Sequence, residues 1–405
     1  MSDPEKSREA SRMMRIFIFC AFLVGLDSLI VGPFIPVISV DLQFPPELGG
    51  LLVTAYGLLF GLSAPLFGPI SDRWGRKRMI LLGLLVFSVG TALTAIANDF
   101  IWALIYRGIA GLGGAMCMPS IYALIGDTYS YEKRGKAMGL ITGAIIGSQV
   151  LGIPVGTFLA KAGSWRTSFW LIAGLGILAY VFVMMGIAKT APKRQIASGP
   201  LKAYITQFQT AFSNRSVFFA LLSTFFWTMG LQGMFAYLGV YYEENFQLEV
   251  DEIGIVTMVA AALSVIGSIA GGRLSDRWGK KVMLGIASVM ASIGVLTFSI
   301  MTETFWGAFF SQLVWATFVG IGQATLTALI SEQNPSVRGT VLSLNSSALY
   351  IGMTAATAVA AMMLTWGLGY LAVGIMCAIA AMLVLPVTVY CIKEKEEQTE
   401  TNTGV

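Results

Sequence analysis

Long apolar stretches alternate with short polar breaks along nearly the whole chain, from about position 16 to position 391. A helix that crosses a bilayer needs roughly 20 mainly apolar residues. By that measure the pattern predicts twelve spanning helices, at 16–38, 49–71, 79–97, 100–125, 136–159, 165–187, 216–241, 253–274, 282–301, 305–330, 339–363 and 368–391. The longest polar connection, 188–215, holds Pro192, Pro200 and the pair Lys193-Arg194. It divides the chain into a six-helix unit at 16–187 and a second at 216–392, with polar tails at 1–15 and 393–405. The expected fold is therefore all-α, an integral membrane protein of twelve helices.

The polar breaks repeat. Gly68-Pro69-Ile70-Ser71-Asp72-Arg73-Trp74-Gly75-Arg76-Lys77 returns as Gly272-Arg273-Leu274-Ser275-Asp276-Arg277-Trp278-Gly279-Lys280-Lys281, 204 positions later. Arg134-Gly135 and Arg338-Gly339 open the predicted fifth and eleventh helices at the same spacing. An offset of six helices, an even number, makes the halves parallel pseudo-repeats about an axis along the membrane normal. Within the first copy, Gly75 permits a tight turn and Gly68 permits close helix contact. Asp72 is placed to accept bonds from the basic residues around it. Positive anchoring alone explains the Lys and Arg of these loops, but not the repeated Asp, Trp and Gly.

Composition agrees with the bilayer as solvent: 12% of the 405 residues are charged and 56% are hydrophobic, where a soluble domain carries roughly 25% charge. Twenty-three of the 26 lysines and arginines fall in the tails and in alternate loops, on one side of the predicted membrane. Lys161 and Arg166 lie on the other side, and Arg107 lies within a helix. Basic loops stay inside, so both termini are expected in the cytoplasm, in a cell membrane. No cleavable signal peptide is expected. The net charge of +4 is too small to suggest nucleic-acid binding. Cys20, Cys117, Cys377 and Cys391 form no Cys-x-x-Cys pair, and there is no histidine, which excludes His-based relays, metal sites and triads. No Gly-x-x-x-x-Gly-Lys-Ser/Thr loop exists to bind ATP, and no clustered set of catalytic residues suggests an enzyme.

Two ionisable residues interrupt the apolar helices. Asp27 lies in the middle of the first, and Arg107 lies in the fourth, before Gly111 and Gly114. A charge at the bilayer centre costs about 2.5–3.5 kcal/mol on insertion scales, so each calls for a reason. The second half has no counterpart. Its candidate cavity residues are neutral: Trp227, Gln232, Tyr237, Gln323 and Asn345. With Phe34, Tyr56 and Met116 of the first half they suggest an amphipathic or aromatic cargo. Gly139, Gly143, Gly147, Gly152, Pro154 and Gly156 form a glycine-rich, proline-kinked face on the fifth helix, which small-residue packing alone also accounts for.

These motifs resemble the major facilitator superfamily of transporters over nearly the whole chain. In that family the Gly-x-x-x-Asp-Arg-x-Gly-Arg/Lys-Lys loop latches the cytoplasmic side in the outward-open state. The resemblance implies a cytoplasmic gate at Gly68, Asp72, Arg73, Gly75 and Arg76, at Asp276, Arg277 and Gly279, and at Arg134 and Arg338. Gly271 is an extra glycine beside the second copy. An Arg in helix 4 before a glycine-rich run matches the family motif tied to proton coupling, with Ala110 standing where glutamine is often seen. The resemblance thus implies proton-coupling roles for Asp27 and Arg107. The segment from Gly143 to Gly156 departs from the antiporter ending Gly-Pro-x-x-Gly-Gly. It is closer to the Gly-x-Pro-x-Gly-Thr form of arabinose-efflux-like permeases and of purine or drug exporters.

The expected function is proton-coupled efflux of small, mainly lipophilic molecules such as drugs or metabolites by alternating access. A proton-coupled nutrient importer is the alternative, and a channel or passive membrane protein is a weaker one. Burial favours a neutral carboxyl and a nearby guanidinium favours a charged one, so opening the site to either side would switch Asp27. A static ion pair is the competing account of the same two residues. No cofactor is expected beyond the proton gradient. The expected partners are the small-molecule substrate, protons and lipid, with the protein a monomer.

Overall fold

In the computed structural model the described residues are 3–129, 131–187, 209, 212–332 and 338–392. Among them every regular element is helical. The helices are α1 (Asp3–Leu29), α2 (Val31–Asp41), α3 (Gly50–Trp74), α4 (Arg76–Ala95), α5 (Phe100–Thr128), α6 (Tyr131–Gly147), α7 (Ile153–Ala162) and α8 (Trp165–Gly186) in the first half. In the second half they are α9 (Arg215–Ala236), α10 (Leu238–Phe246), α11 (Val250–Trp278), α12 (Lys280–Ile300), α13 (Phe305–Glu332), α14 (Arg338–Thr365) and α15 (Gly369–Cys391). Among the described residues eleven segments are long and apolar enough to cross a membrane, and the bent pair α1–α2, taken as one span, makes a twelfth. Most of the predicted connection at 188–215 and the tail from 393 lie outside the described residues.

Local chemistry sets the helix boundaries. The Asp99 side chain accepts from the Trp102 amide at 3.0 Å, Asn214 accepts from the Ser216 amide at 3.0 Å, and Glu249 and Glu252 form a reciprocal capping box. Such caps satisfy amide groups that a helix start leaves unpaired. Gly75 (φ 94°) and Gly279 (φ 87°) each end one helix and begin the next. A left-handed backbone at both sites explains why glycine recurs there.

Three spans are bent or interrupted, the fifth of them where a proline kink was expected. α1 and α2 meet at Ile30 with a bend of 49°. Pro33 and Pro36 follow directly, and neither can donate an amide to the turn before it. The fifth span opens into a π turn at Ser148–Gly152, where the Ile153 amide bonds Ser148 O, ahead of Pro154. The seventh is interrupted at Tyr237 and runs on to Phe246, beyond the predicted end at 241.

The halves repeat the same packing. α5 packs on α3 and α4 as α13 packs on α11 and α12. α4 meets α8 as α12 meets α15, and α1 meets α6 and α8 as α9 meets α14 and α15. Between the halves, α3 packs on α14, α7 on α11 and α2 on α10. These contacts cluster at the end of the bundle opposite the Gly75 and Gly279 turns. A Cβ on Gly239 would meet Gly32 O and Pro33 O, so two backbones approach closely there. Toward the turn-bearing end the halves part. Gly68, Gly139, Gly143, Gly147 and Gly272 all face open space. The close contact expected of Gly68 is therefore not made in this conformation.

Candidate functional site

The centre of the first half holds a buried ion pair. Arg107 Nη1 lies 2.7 Å from Asp27 Oδ2, and both side chains are fully shielded from solvent. Arg107 Nη2 donates to the Asp27 main-chain oxygen at 2.8 Å, and Thr91 Oγ1 donates to Asp27 Oδ1 at 3.2 Å. The guanidinium stacks over the Tyr56 ring at 4.7 Å and approaches the Phe169 ring at 5.8 Å. Such cation–π contacts gain strength when desolvated. Among the described residues, Arg107 Nε and the Tyr56 hydroxyl find no hydrogen-bond partner. Arg107 is thus gripped through one edge, with donor capacity to spare.

The fold explains why these groups meet. Asp27 sits one turn before the α1–α2 bend, where the helix is about to lose regular bonding and its carbonyl is free to accept from Arg107. A Cβ on Gly152 would strike Leu26, and one on Gly156 would strike Ile30. The outer glycines of the fifth span thus seat the bend. Gly143 and Gly147 do not, because they face open space. Gly111 lets the α5 backbone touch that of Tyr56, and Gly114 meets the Tyr56 hydroxyl. The glycine run after Arg107 therefore brings Tyr56 down onto the guanidinium. Gly90 against Ala110 does the same for α4, which carries Thr91.

The two repeated turns form a second constellation. Asp72 pairs with Arg76 at 2.6 Å, one helical turn on, and Arg76 also pairs with Asp127 at the end of α5. Arg76 is nearly buried, whereas Arg73, Asp276 and Arg277 are exposed. Lys77 Nζ donates to Met184 O at 2.7 Å and Ile187 O at 2.5 Å, holding the end of α8. Its repeat Lys281 reaches Val389 O near the end of α15 at 3.5 Å, a weaker version of the same cap. The second basic position thus ties each turn to the last helix of its own half. Arg134 and Arg338 lie in the first turns of α6 and α14, but their side chains lie outside the described residues.

The neutral cavity candidates scatter. Phe34 is buried edge-on against Phe169, Trp227 is buried against Gly322, and Met116 is buried within α5. Tyr237 is buried at the junction of the halves, donating to Glu47 O at 2.5 Å and accepting from the Gly50 amide at 3.1 Å. In this conformation these four serve as packing and closure residues, because the apolar rings fill interhelix gaps. Gln232 and Gln323 stay partly exposed. Asn345, also partly exposed, accepts from Thr224 Oγ1 at 2.6 Å.

Several contributors were missed from sequence. Lys161 at the end of α7 bridges to Glu249 at 2.8 Å and Asp251 at 2.9 Å, across the halves. Thr54 and Thr357 share a bond of 2.7 Å, also across the halves. The Phe60 and Tyr350 rings stack at 3.7 Å. The Asp127 carboxylate at a basic helix end was a visible signal, whereas Glu249 and Asp251 lie 88 and 90 residues from Lys161. Nothing in the linear pattern singled out Tyr350.

Comparison with known proteins fits this arrangement. The family model described as Major Facilitator Superfamily matches residues 17–357 and 241–405. The chain is 29% identical over 359 residues to the uncharacterised MFS-type transporter YceJ of Bacillus subtilis (strain 168), covering 86% of this chain and 88% of that one. It is 32% identical over 189 residues to the quinolone resistance protein NorA of Staphylococcus aureus (strain MRSA252), covering 47% and 48%. A solved D-xylose-proton symporter superposes with a TM-score of 0.77 over 96% of this chain and 99% of that one, at 16% identity.

Proposed function

This chain belongs to the Major Facilitator Superfamily, and from that premise we propose that it is a proton-coupled exporter of small amphipathic molecules. It is a multi-pass membrane transporter and not an enzyme. The observation that carries the coupling reading is the fully buried Asp27–Arg107 pair. A buried pair of this kind is costly to desolvate and contributes little net stability, and an intramembrane ionisable residue points to function by default. A proton on Asp27 removes the counter-charge of Arg107 and leaves the guanidinium on Tyr56 and the Asp27 carbonyl. The pair therefore has two electrostatic states in one packing environment.

The export reading draws on the partial likeness to NorA, named as a quinolone resistance protein, and on the form of the fifth helix. The basic excess at the Gly75 and Gly279 end supports a cytoplasmic position for that end and for both termini. In this orientation the protein is closed to the outside by Lys161, Tyr237 and the Thr54–Thr357 bond, and parted toward the cytoplasm. That is the state in which an exporter takes up cargo. The Asp72–Arg76 and Arg76–Asp127 pairs lie within one half, as a disengaged latch should. Protonation of Asp27 from outside then favours cargo release, driven by the proton gradient. The transporter works as a monomer with no cofactor.

The test is a susceptibility and uptake comparison in a drug-sensitive bacterial strain, using ethidium and a fluoroquinolone as probes. Cells expressing the wild type retain less of at least one probe than cells expressing Asp27→Asn, and collapse of the proton gradient removes the difference. Equal retention in both strains overturns the coupling role of Asp27. Greater retention with the wild type makes the protein an importer.

A further inference from the structure

The ion pair belongs to one half, yet transport requires the two halves to move against each other. We propose that Tyr350, on α14 of the second half, is the positioning residue through which the Asp27–Arg107 site governs closure between the halves. The inference rests on the coupling reading above and adds to it the residue that the other half contributes.

The contacts form an unbroken chain. The guanidinium of Arg107 lies against one face of Tyr56. The Tyr56 ring centre is 6.2 Å from that of Tyr350, and Tyr350 stacks on Phe60, one turn along α3, at 3.7 Å. Tyr350 therefore backs the ring that covers Arg107. Its approach is made by two glycines of α3. A Cβ on Gly57 would strike Met353 and Thr354, and one on Gly61 would strike Ile351. On the opposite side, Gly111 and Gly114 clamp Tyr56 from α5. Tyr56 is thus held between a charge and the other half of the protein.

This geometry has a two-state consequence. α3 and α14 are in contact because the halves are closed at this end. When that end opens, Tyr350 leaves Phe60 and Tyr56, and the ring covering Arg107 loses its backing. The shielding of the pair therefore differs between the two conformations. A ligand that prefers one of two states shifts their populations, and here the ligand is the proton. The groups against the pair are Thr91 from α4, Tyr56 from α3 and Phe169 from α8, with Tyr350 from α14 behind Tyr56. Among these Tyr56 and Tyr350 are titratable, the Cys117 thiol and the Tyr122 hydroxyl neighbour them in turn, and Arg107 and Asp27 are the charges within this group of described residues.

Hydrogen–deuterium exchange of the full chain in lipid nanodiscs, corrected for intrinsic exchange, reads closure directly at 50–57 and 350–357. In the wild type, protection there changes by about tenfold between roughly pH 5 and pH 8. Asp27→Asn flattens the response. Tyr350→Leu flattens it as well, while Tyr350→Phe keeps it, because the ring and not the hydroxyl makes the stack. Phe60→Leu, which leaves Tyr350 in place, gives a second route to the same flattening should Tyr350→Leu fold poorly. If Asp27→Asn flattens the response but Tyr350→Leu and Phe60→Leu keep it, Tyr350 is not the link and the coupling role of Asp27 stands. If Asp27→Asn keeps the response, the coupling reading itself falls.

Discussion

The two halves share a scaffold and differ in what they bury at its centre. Arg107 lies seven residues beyond Phe100, the first residue of α5, and Gln312 lies seven beyond Phe305, the first residue of α13. Arg107 meets a carboxylate and an aromatic face. Gln312, equally buried, accepts from the Tyr242 hydroxyl at 2.6 Å through Oε1. One half holds a carboxylate–guanidinium pair, and the other a bond between neutral groups. The turns at Gly75 and Gly279, by contrast, keep the same backbone and the same lysine cap. The two copies thus keep the same turns and caps, while the buried ion pair occupies one copy.

The largest expected effect breaks this asymmetry at its charged end. Arg107→Ala leaves a buried carboxylate without its partner and lowers stability by about 3–5 kcal/mol, read from thermal or denaturant unfolding in detergent. Removing the neutral counterpart, Gln312→Ala, costs about 1–2 kcal/mol by the same measurement, the scale of one buried unsatisfied group. Equal losses at the two sites would dissolve the contrast.

Moving the charge across is next in size. Gln312→Arg places an unpaired guanidinium in the second half and costs about 2.5–3.5 kcal/mol. A variant as stable as the wild type would show that the second half can accept a buried charge after all.

Smaller effects test the shared scaffold. Gly75→Ala and Gly279→Ala each force a side chain into a left-handed backbone at about 1–2 kcal/mol, and the two losses agree within about 0.5 kcal/mol. The smallest concerns the bridge between the halves. Lys161→Ala shifts the exchange protection at 50–57 about twofold to fivefold toward opening, and raised salt mimics it in the wild type, because this pair is exposed and screened.

The spans were legible because each is a local property. An apolar run of sufficient length has to be helical in lipid, since every backbone group needs an internal partner. Gly75 was legible as a turn because only glycine fits its conformation at no cost. Asp27 and Arg107 were legible as exceptions to an apolar rule. Gly68 was read as a contact residue, and its site is open in this conformation, because contact between halves depends on the state of the whole molecule. Phe34, Met116, Trp227 and Tyr237 were read as cavity lining and are buried. An aromatic residue on a spanning helix carries no mark of which face it occupies.

By itself, then, the sequence determined twelve spans, their duplication, the polarity of basic loops and the two anomalous charges. These follow from the transfer of short segments between water and lipid. Only the tertiary structure decided that residues 27 and 107 form one pair, that Tyr56 covers it, and that Tyr350 reaches it from the other half. Those contacts join positions 51 to 294 residues apart. They are set by which helix faces pack together, where glycines let backbones approach, and not by the preference of any one segment.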